Sequence, residues 1–111
     1  MALYWAYTVE FKSIKFSIRL QMTTINIKEI DLTTYSVTVV DKIATQHEVT
    51  VTISYVLSLT ASKINTEQLI RNAFKFLLAR EPNTSILLHF ELSKIGTYFP
   101  DFEQEMRNLL P

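Results

Sequence analysis

His47 and His89 are the only imidazoles in the chain, so acid–base or metal chemistry that needs this side chain is confined to two points. His89 lies four residues after Ser85, which on a helix would set both on one side, and Asp101 follows further along. These are the residue types of a hydrolase's nucleophile, base and orienting acid. Such a triad is defined by geometry, however, and no Gly-x-Ser-x-Gly nucleophile elbow is present. Chance co-occurrence of common residues is the stronger reading. His47 opens a strand pattern beside Glu48, and the two histidines lack the i, i+4 spacing with which a helix presents a metal-binding pair. His47 therefore reads as a surface residue near a loop. Glu91, Asp101, Glu103 and Glu105 could contain an acid/base pair, but helix capping and a solvated face account for them equally simply. Tyr98 and Phe99 follow an apolar pattern and read as core anchors rather than a ligand cage. The expectation is no catalytic, cofactor-binding or metal-ligating residue, and no cofactor.

Composition narrows the choice further. The single glycine excludes phosphate-cradling and dinucleotide-binding loops, which need several for close backbone approach. The absence of cysteine excludes disulfides, thiolate metal sites and thiol catalysis, and it points to the cytoplasm. Formal charge is zero with the acids and bases interspersed, whereas a dedicated nucleic-acid binder carries a basic excess. Arg71, Lys75 and Arg80 nevertheless form a short basic edge on a predicted helix, so a DNA- or RNA-binding regulator stands as the alternative. Asn83-Thr84-Ser85 fits a glycosylation sequon, which without an export signal carries no information.

The elements that would position these residues divide into a β half and an α half. A chain of 111 residues, 48% hydrophobic, suits one packed domain. From Leu32 to Val40 and from His47 to Leu59 the sequence alternates with period two. Tyr35, Val37 and Val39 share one face, and so do Val49, Val51, Ile53, Tyr55, Leu57 and Leu59. The pair predicts an antiparallel hairpin with a long loop over residues 41–46, and Ile25, Ile27, Ile30 and Leu32 an earlier, irregular strand. The Thr/Ser faces read as a solvated outer face. As a sharper reading they form a dimer surface, because a long strand gated only by Glu48 is an edge in search of a partner.

In the α half, Asn65 is placed as an N-cap, with Gln68 able to complete a capping box and Ile64 and Leu69 spaced as a hydrophobic staple. Leu69, Ile70, Ala73, Phe74, Leu77 and Leu78 form an apolar stripe, and Glu67 and Arg71 are ordered for an exposed ion pair. Pro82 ends this helix. Asn83, Thr84 or Ser85 would cap a short helix carrying Ile86, Leu87, Leu88 and Phe90. Leu92 to Phe99 suggests one or two further turns with Gly96 inside them. Pro100 suits the first position of a last helix that reaches Leu110, with Phe102 and Met106 on its buried stripe.

Residues 1–21 form a separate question. Trp5, Tyr7, Val9 and Phe11 alternate on one face, and Ile14, Phe16, Ile18 and Leu20 continue on the other parity, which reads as a strand with a bulge near Lys12-Ser13. The other reading takes Met22 as the start and the preceding stretch as upstream sequence. That stretch holds three bases (Lys12, Lys15, Arg19) and one acid (Glu10). It has no signal-peptide architecture, and no segment is long enough to span a membrane.

The segments Phe76-Leu77-Leu78, Arg80-Glu81-Pro82, Ser85-Ile86-Leu87 and Tyr98-Phe99-Pro100 together resemble a group of small bacterial proteins of unassigned function. Those proteins share a Phe-Leu-Leu-x-Arg-Glu-Pro-x-x-Ser-Ile-Leu run followed by Tyr-Phe-Pro, with an acid-Leu pair before the third helix. Glu91-Leu92 fills that place here. The resemblance implies a shared fold and brings no activity.

The expected fold is α+β: an antiparallel sheet of two to four strands packed on one face by a helix over Asn65 to Arg80, with short helices closing the core. The domain would be residues 22–111. The expected function is that of a small cytoplasmic protein-interaction or regulatory module, non-enzymatic and self-associating or bound to a protein partner, with no membrane association.

Overall fold

A computed structural model describes residues 23–111. Both readings of residues 1–21 lie outside the described residues. The described chain is α+β. Strand β1 (Thr24–Asp31), β2 (Thr34–Val40), β3 (Thr45–Thr50) and β4 (His89–Glu91) form one sheet in that order. Helix α1 (Ile53–Thr60) and helix α2 (Thr66–Leu78) follow β3, and α3 (Ile95–Tyr98) and α4 (Phe102–Asn108) follow β4.

The sheet is mixed rather than purely antiparallel. β1 and β2 pair antiparallel, as do β2 and β3, but β4 joins β3 in parallel, with Glu48 opposite His89 and Thr50 opposite Glu91. A parallel neighbour needs a crossover, and the two helices between β3 and β4 supply it. The two-residue connection from β1 to β2 is closed by Asp31, whose Oδ1 accepts the Thr33 amide at 2.9 Å. That amide, with the Thr33 and Thr34 hydroxyls, holds the Asp31 carboxyl below its usual range. β1 also carries an irregularity between Glu29 and Asp31, which leaves Ile30 and Leu32 exposed rather than continuing the Ile25 and Ile27 face.

Alternation within the strands builds the core. Tyr35, Val37 and Val39 of β2 are buried beside His47 and Val49 of β3, in register Tyr35 to Val49 and Val37 to His47. The other parity, Ser36, Gln46 and Glu48 among it, lies on the outer face, where Gln46 Nε2 donates to Ser36 Oγ at 2.9 Å. Helices cover only the inner face. Phe74, Leu69 and Ile70 of α2 are fully buried, with Phe102 and Met106 of α4 and Leu92 behind them.

The long strand expected from His47 to Leu59 ends at Thr50. The chain then turns into α1, so Ile53, Tyr55, Leu57 and Leu59 do not share a face: Ile53 and Leu57 are exposed, Leu59 is buried and Tyr55 is half-buried. Thr52 starts the helix by accepting the Tyr55 amide at 3.1 Å, and burial then follows Val56, Leu59 and Thr60. Both periods are legible in this short apolar run, and the capping threonine together with packing decides between them. β3 is consequently an interior strand between β2 and β4, so it is not the free edge on which the dimer-surface reading stood.

α2 conforms closely to its sequence signals. Asn65 Oδ1 accepts the Gln68 amide at 2.8 Å, Ile64 packs against the core near buried Leu69, and Arg71 lies 3.6 Å from Glu67. The capping box is one-sided, because Gln68 Nε2 turns forward to Asn72 Oδ1 at 2.9 Å. Past Pro82 the expected helix over residues 86–90 does not form. A single 3-10 turn (Asn83–Ser85) leads into β4, because the backbone there is taken up by pairing with β3: Glu48 N donates to Leu88 O at 2.7 Å. Another 3-10 turn (Leu92–Lys94) runs directly into α3, with Gly96 inside it facing open space. Pro100 precedes the last helix by two residues, and Asp101 takes the N-cap place without a side-chain cap bond.

Two contacts yield predictions. Tyr55 of α1 donates its hydroxyl to Glu103 of α4 at 2.9 Å. Burial first, then that hydrogen bond and the carboxylate's charge, raise the Tyr55 phenol well above its ordinary value, against a smaller opposing pull from Arg107. A raised folded-state value means that the contribution is full below about pH 10 and lost as pH rises through the folded value. Tyr55→Phe is therefore expected to lower urea stability by about 1 kcal/mol at neutral pH. Difference absorbance against that variant should show Tyr55 ionising later than an exposed tyrosine. The second contact is the end of α1, where Ala61 and Ser62 hold φ of 52° and 63° in a left-handed turn. A Cβ is disfavoured there. Ala61→Gly should raise the urea midpoint, by about 0.5–1 kcal/mol of stability.

Candidate functional site: an apolar cleft beside a buried histidine network

The chain's polar interior centres on His47. It is completely buried, contrary to its reading as a surface residue. Position 47 shares the inner parity of β3 with Val49, and the ring lies 5.5 Å from that of Phe74. A buried imidazole needs partners for both nitrogens. Nδ1 donates to the Leu87 carbonyl at 2.8 Å, and in this neutral tautomer Nε2 accepts the Thr45 hydroxyl, also at 2.8 Å. Thr45 Oγ1 accepts in turn from Asn83 Nδ2 at 2.9 Å, and the same amide group donates to Ile43 O at 2.7 Å. Asn83, expected as a helix cap, is instead buried and bridges the β2–β3 loop to the crossover.

This network fixes one wall of a cleft of about 260 Å³. Leu77 and Glu81 come from the end of α2, Ser85, Ile86 and Leu87 from the connection to β4, and Phe90 from β4 itself; Tyr98 and Phe99 belong to α3 and its end. Lys94 completes the charged part of the lining with Glu81. Most of the wall is apolar, and two of its residues also reach well into solvent: Leu87 is 56% exposed and Tyr98 69%. Tyr98, read as a core anchor, is thus a surface residue on a helix too short to bury it, whereas Phe99 does pack on the core.

The four segments that carried the family-like pattern converge around this cleft. Leu77, Glu81, Ser85, Ile86, Leu87, Tyr98 and Phe99 line it. Arg80 braces its base, with its guanidinium 3.6 Å over the Phe76 ring, Nη1 donating to Phe76 O at 3.0 Å and Nη2 to Asp101 at 3.4 Å. Phe76 meets Phe99 and Phe102 edge-on, with centroids 5.8 and 5.2 Å apart. The sequence signal for the cleft is therefore the clustering of these segments, which singly read as caps, stops and core anchors.

The Ser85, His89 and Asp101 side chains are not brought together. No helix aligns Ser85 with His89: Ser85 ends a 3-10 turn, while His89 opens β4 on the outer sheet face, 77% exposed by side chain and 3.3 Å from Glu48. Ser85 lines the cleft on the inner side and Asp101 is engaged by Arg80. Of the C-terminal acids, Glu103 accepts from Tyr55, and Glu105 lies in the first turn of α4 near its positive end. Among the described residues no three His, Asp or Glu side chains could hold a metal ion, and no helix is long and apolar enough to cross a membrane. No family model, curated protein or solved structure matches the chain.

Removing the imidazole would leave the part-buried Leu87 carbonyl without this donor and the Thr45 hydroxyl with Asn83 alone, and a leucine there would fill the ring's fully buried site poorly. His47→Leu is expected to cost about 2–4 kcal/mol of unfolding free energy, and Asn83→Ala about 1–3 kcal/mol. Because both act through Thr45, the double variant should lose less than the sum of the two; strict additivity in urea titrations would contradict a shared network.

Proposed function

We propose that the protein is a non-enzymatic interaction module whose binding surface is the apolar cleft with its exposed Leu87 and Tyr98 rim. One observation carries this reading: the apolar surface runs out of the cleft onto exposed side chains that a ligand confined to the cleft would leave in water. Contiguous exposed apolar surface of this kind marks a protein contact. The occupant is an apolar segment of a partner protein, and the opposite charges of Glu81 and Lys94 would select complementary charges flanking that segment.

Two of the three cations on the basic edge of α2 are engaged within the chain. Arg71 donates to Ile25 O at 2.8 Å and pairs with Glu67, while Arg80 stacks on Phe76 and reaches Asp101. That favours a protein partner over phosphate neutralisation along this edge.

Leu87 and Tyr98 are exposed enough to be changed without unfolding the chain. A partner recovered with the full chain and then purified should bind the Leu87→Asp/Tyr98→Ala variant at least about tenfold more weakly by calorimetry, with the urea midpoint unchanged. Equal affinity of the variant, or failure to recover any partner, would overturn the assignment. A concentration-dependent dimer in light scattering, lost in the same variant, would instead make a second copy the occupant.

A further inference from the structure

We propose that β4 is a docking edge: an extended peptide of alternating apolar and basic residues adds beside it as one more strand and seats its apolar side chains in the cleft. The inference rests on the cleft being an interaction surface and adds the form of the partner. It starts from the parallel register. Glu48 pairs with His89, and the Glu48 amide donates to Leu88 O at 2.7 Å. Backbone groups of a strand alternate in direction, so Phe90 pairs toward β3 while the N–H and C=O of His89 and the N–H of Glu91 point away from it; the Glu91 C=O, at the N-cap of the following 3-10 turn, accepts that turn's first bond. Among the described residues β4 is the last strand on its side of the sheet, both residues are exposed, and no segment outside the sheet makes a backbone hydrogen bond to the His89 and Glu91 amides.

The side chains supply the specificity. Phe90, at the centre of β4, points inward and lines the cleft, so inward side chains of an added strand would fall beside it, over the apolar opening near Leu87 and Tyr98. Its outward side chains would lie beside His89 and Glu91; Glu48 stands behind His89, 3.3 Å from its ring, and Thr50 stands behind Glu91, so Glu91 is the acid an added strand meets directly. Like charges on neighbouring strands repel and opposite charges attract, so basic residues suit those positions. Recognition by strand addition uses this division, with main-chain bonds for affinity and alternate side chains for selection. The opposite edge of the sheet is a poorer template. β1 exposes Lys28, Glu29 and Asp31, and its Ile25 carbonyl already accepts from Arg71.

The test uses the ¹⁵N-labelled full chain titrated with acetyl-Lys-Leu-Lys-Val-Lys-Leu-Lys-amide. Two further peptides carry N-methyl groups, one on its Leu and Val residues and the other on the Lys residues flanking them. Strand pairing uses the amides of one alternate set only, so one methylated peptide should bind about tenfold or more weakly than the other. At saturation, amide exchange at His89 and Glu91 should slow by about tenfold or more. If Tyr98 and Phe99 resonances shift while those amides exchange unchanged and the methylated peptides bind alike, strand addition is wrong and the cleft reading survives. No shift at millimolar peptide also overturns strand addition; the cleft reading then stands or falls with the Leu87→Asp/Tyr98→Ala variant. Protection of His89 and Glu91 in the free chain, together with dimers by light scattering, would overturn the peptide and give the edge to a second copy.

Discussion

The burial of His47 constrains more of this molecule than any other single interaction. An imidazole fully removed from water requires a donor and an acceptor at fixed directions. Here one of them is a backbone carbonyl forty residues away. Meeting that need brings the Leu87 carbonyl to the inner side of β3, and the Leu88 carbonyl then falls within reach of the Glu48 amide. Asn83 fastens the same connection to the β2–β3 loop. The parallel placement of β4 follows from these bonds, because they fix the connection along β3 before the strand itself adds only three residues of pairing.

α2 supplies the complementary constraint from the helix layer. Phe74 faces the sheet, tilted against both His47 and Phe90, while Phe76 faces α3 and α4 through Phe99 and Phe102. Two aromatic residues two positions apart on the helix thus fill different interfaces. The cleft opens between these two packed regions, where the short α3 leaves Tyr98 outside and Leu77 and Ile86 form part of the wall. Arg80 matters here for shape as much as charge: its guanidinium covers a ring face and ties down Asp101, so the segment after Pro100 is held against α2.

How much of this was legible in the sequence depended on whether the signals were local. The α2 cap, its apolar stripe and its stop ahead of Pro82 are readable because each is settled within one or two turns of the chain, although the helix ends at Leu78, two residues short of the expected Arg80. β2 and residues 47–50 of β3 are readable because one face is buried and the other wet, whereas Thr45 and Gln46, expected in the loop, already pair with β2. The α1 segment was misread because Val51 to Leu59 satisfies period two while a threonine cap and three buried positions decide for a helix. Residues 86–90 were misread for the opposite reason: nothing local makes them a strand, and only the distant partners of Leu87 and Leu88 do. His47 reads as a surface residue because its burial is a property of sheet register, and the nearest clue in the sequence is its shared parity with Val49.

The same distinction bears on where a function can reside. The interior polar residues, His47, Thr45 and Asn83, satisfy one another, so they are explained by the fold they hold in place. What that fold leaves unexplained lies at its margin: an apolar cleft whose rim is exposed, and beside it an edge strand too short to be justified by its own stability. A three-residue strand contributes little pairing, yet a buried histidine, an asparagine bridge and a parallel crossover all serve to hold it there. Short edges are one means by which sheets discourage unwanted pairing. In this molecule the short edge is combined with apolar rather than charged neighbours on its inner side, an arrangement that limits pairing in length without repelling it. A surface built that way can admit a strand whose side chains fit the cleft while giving weak purchase to others, which is the physical basis for reading it as selective.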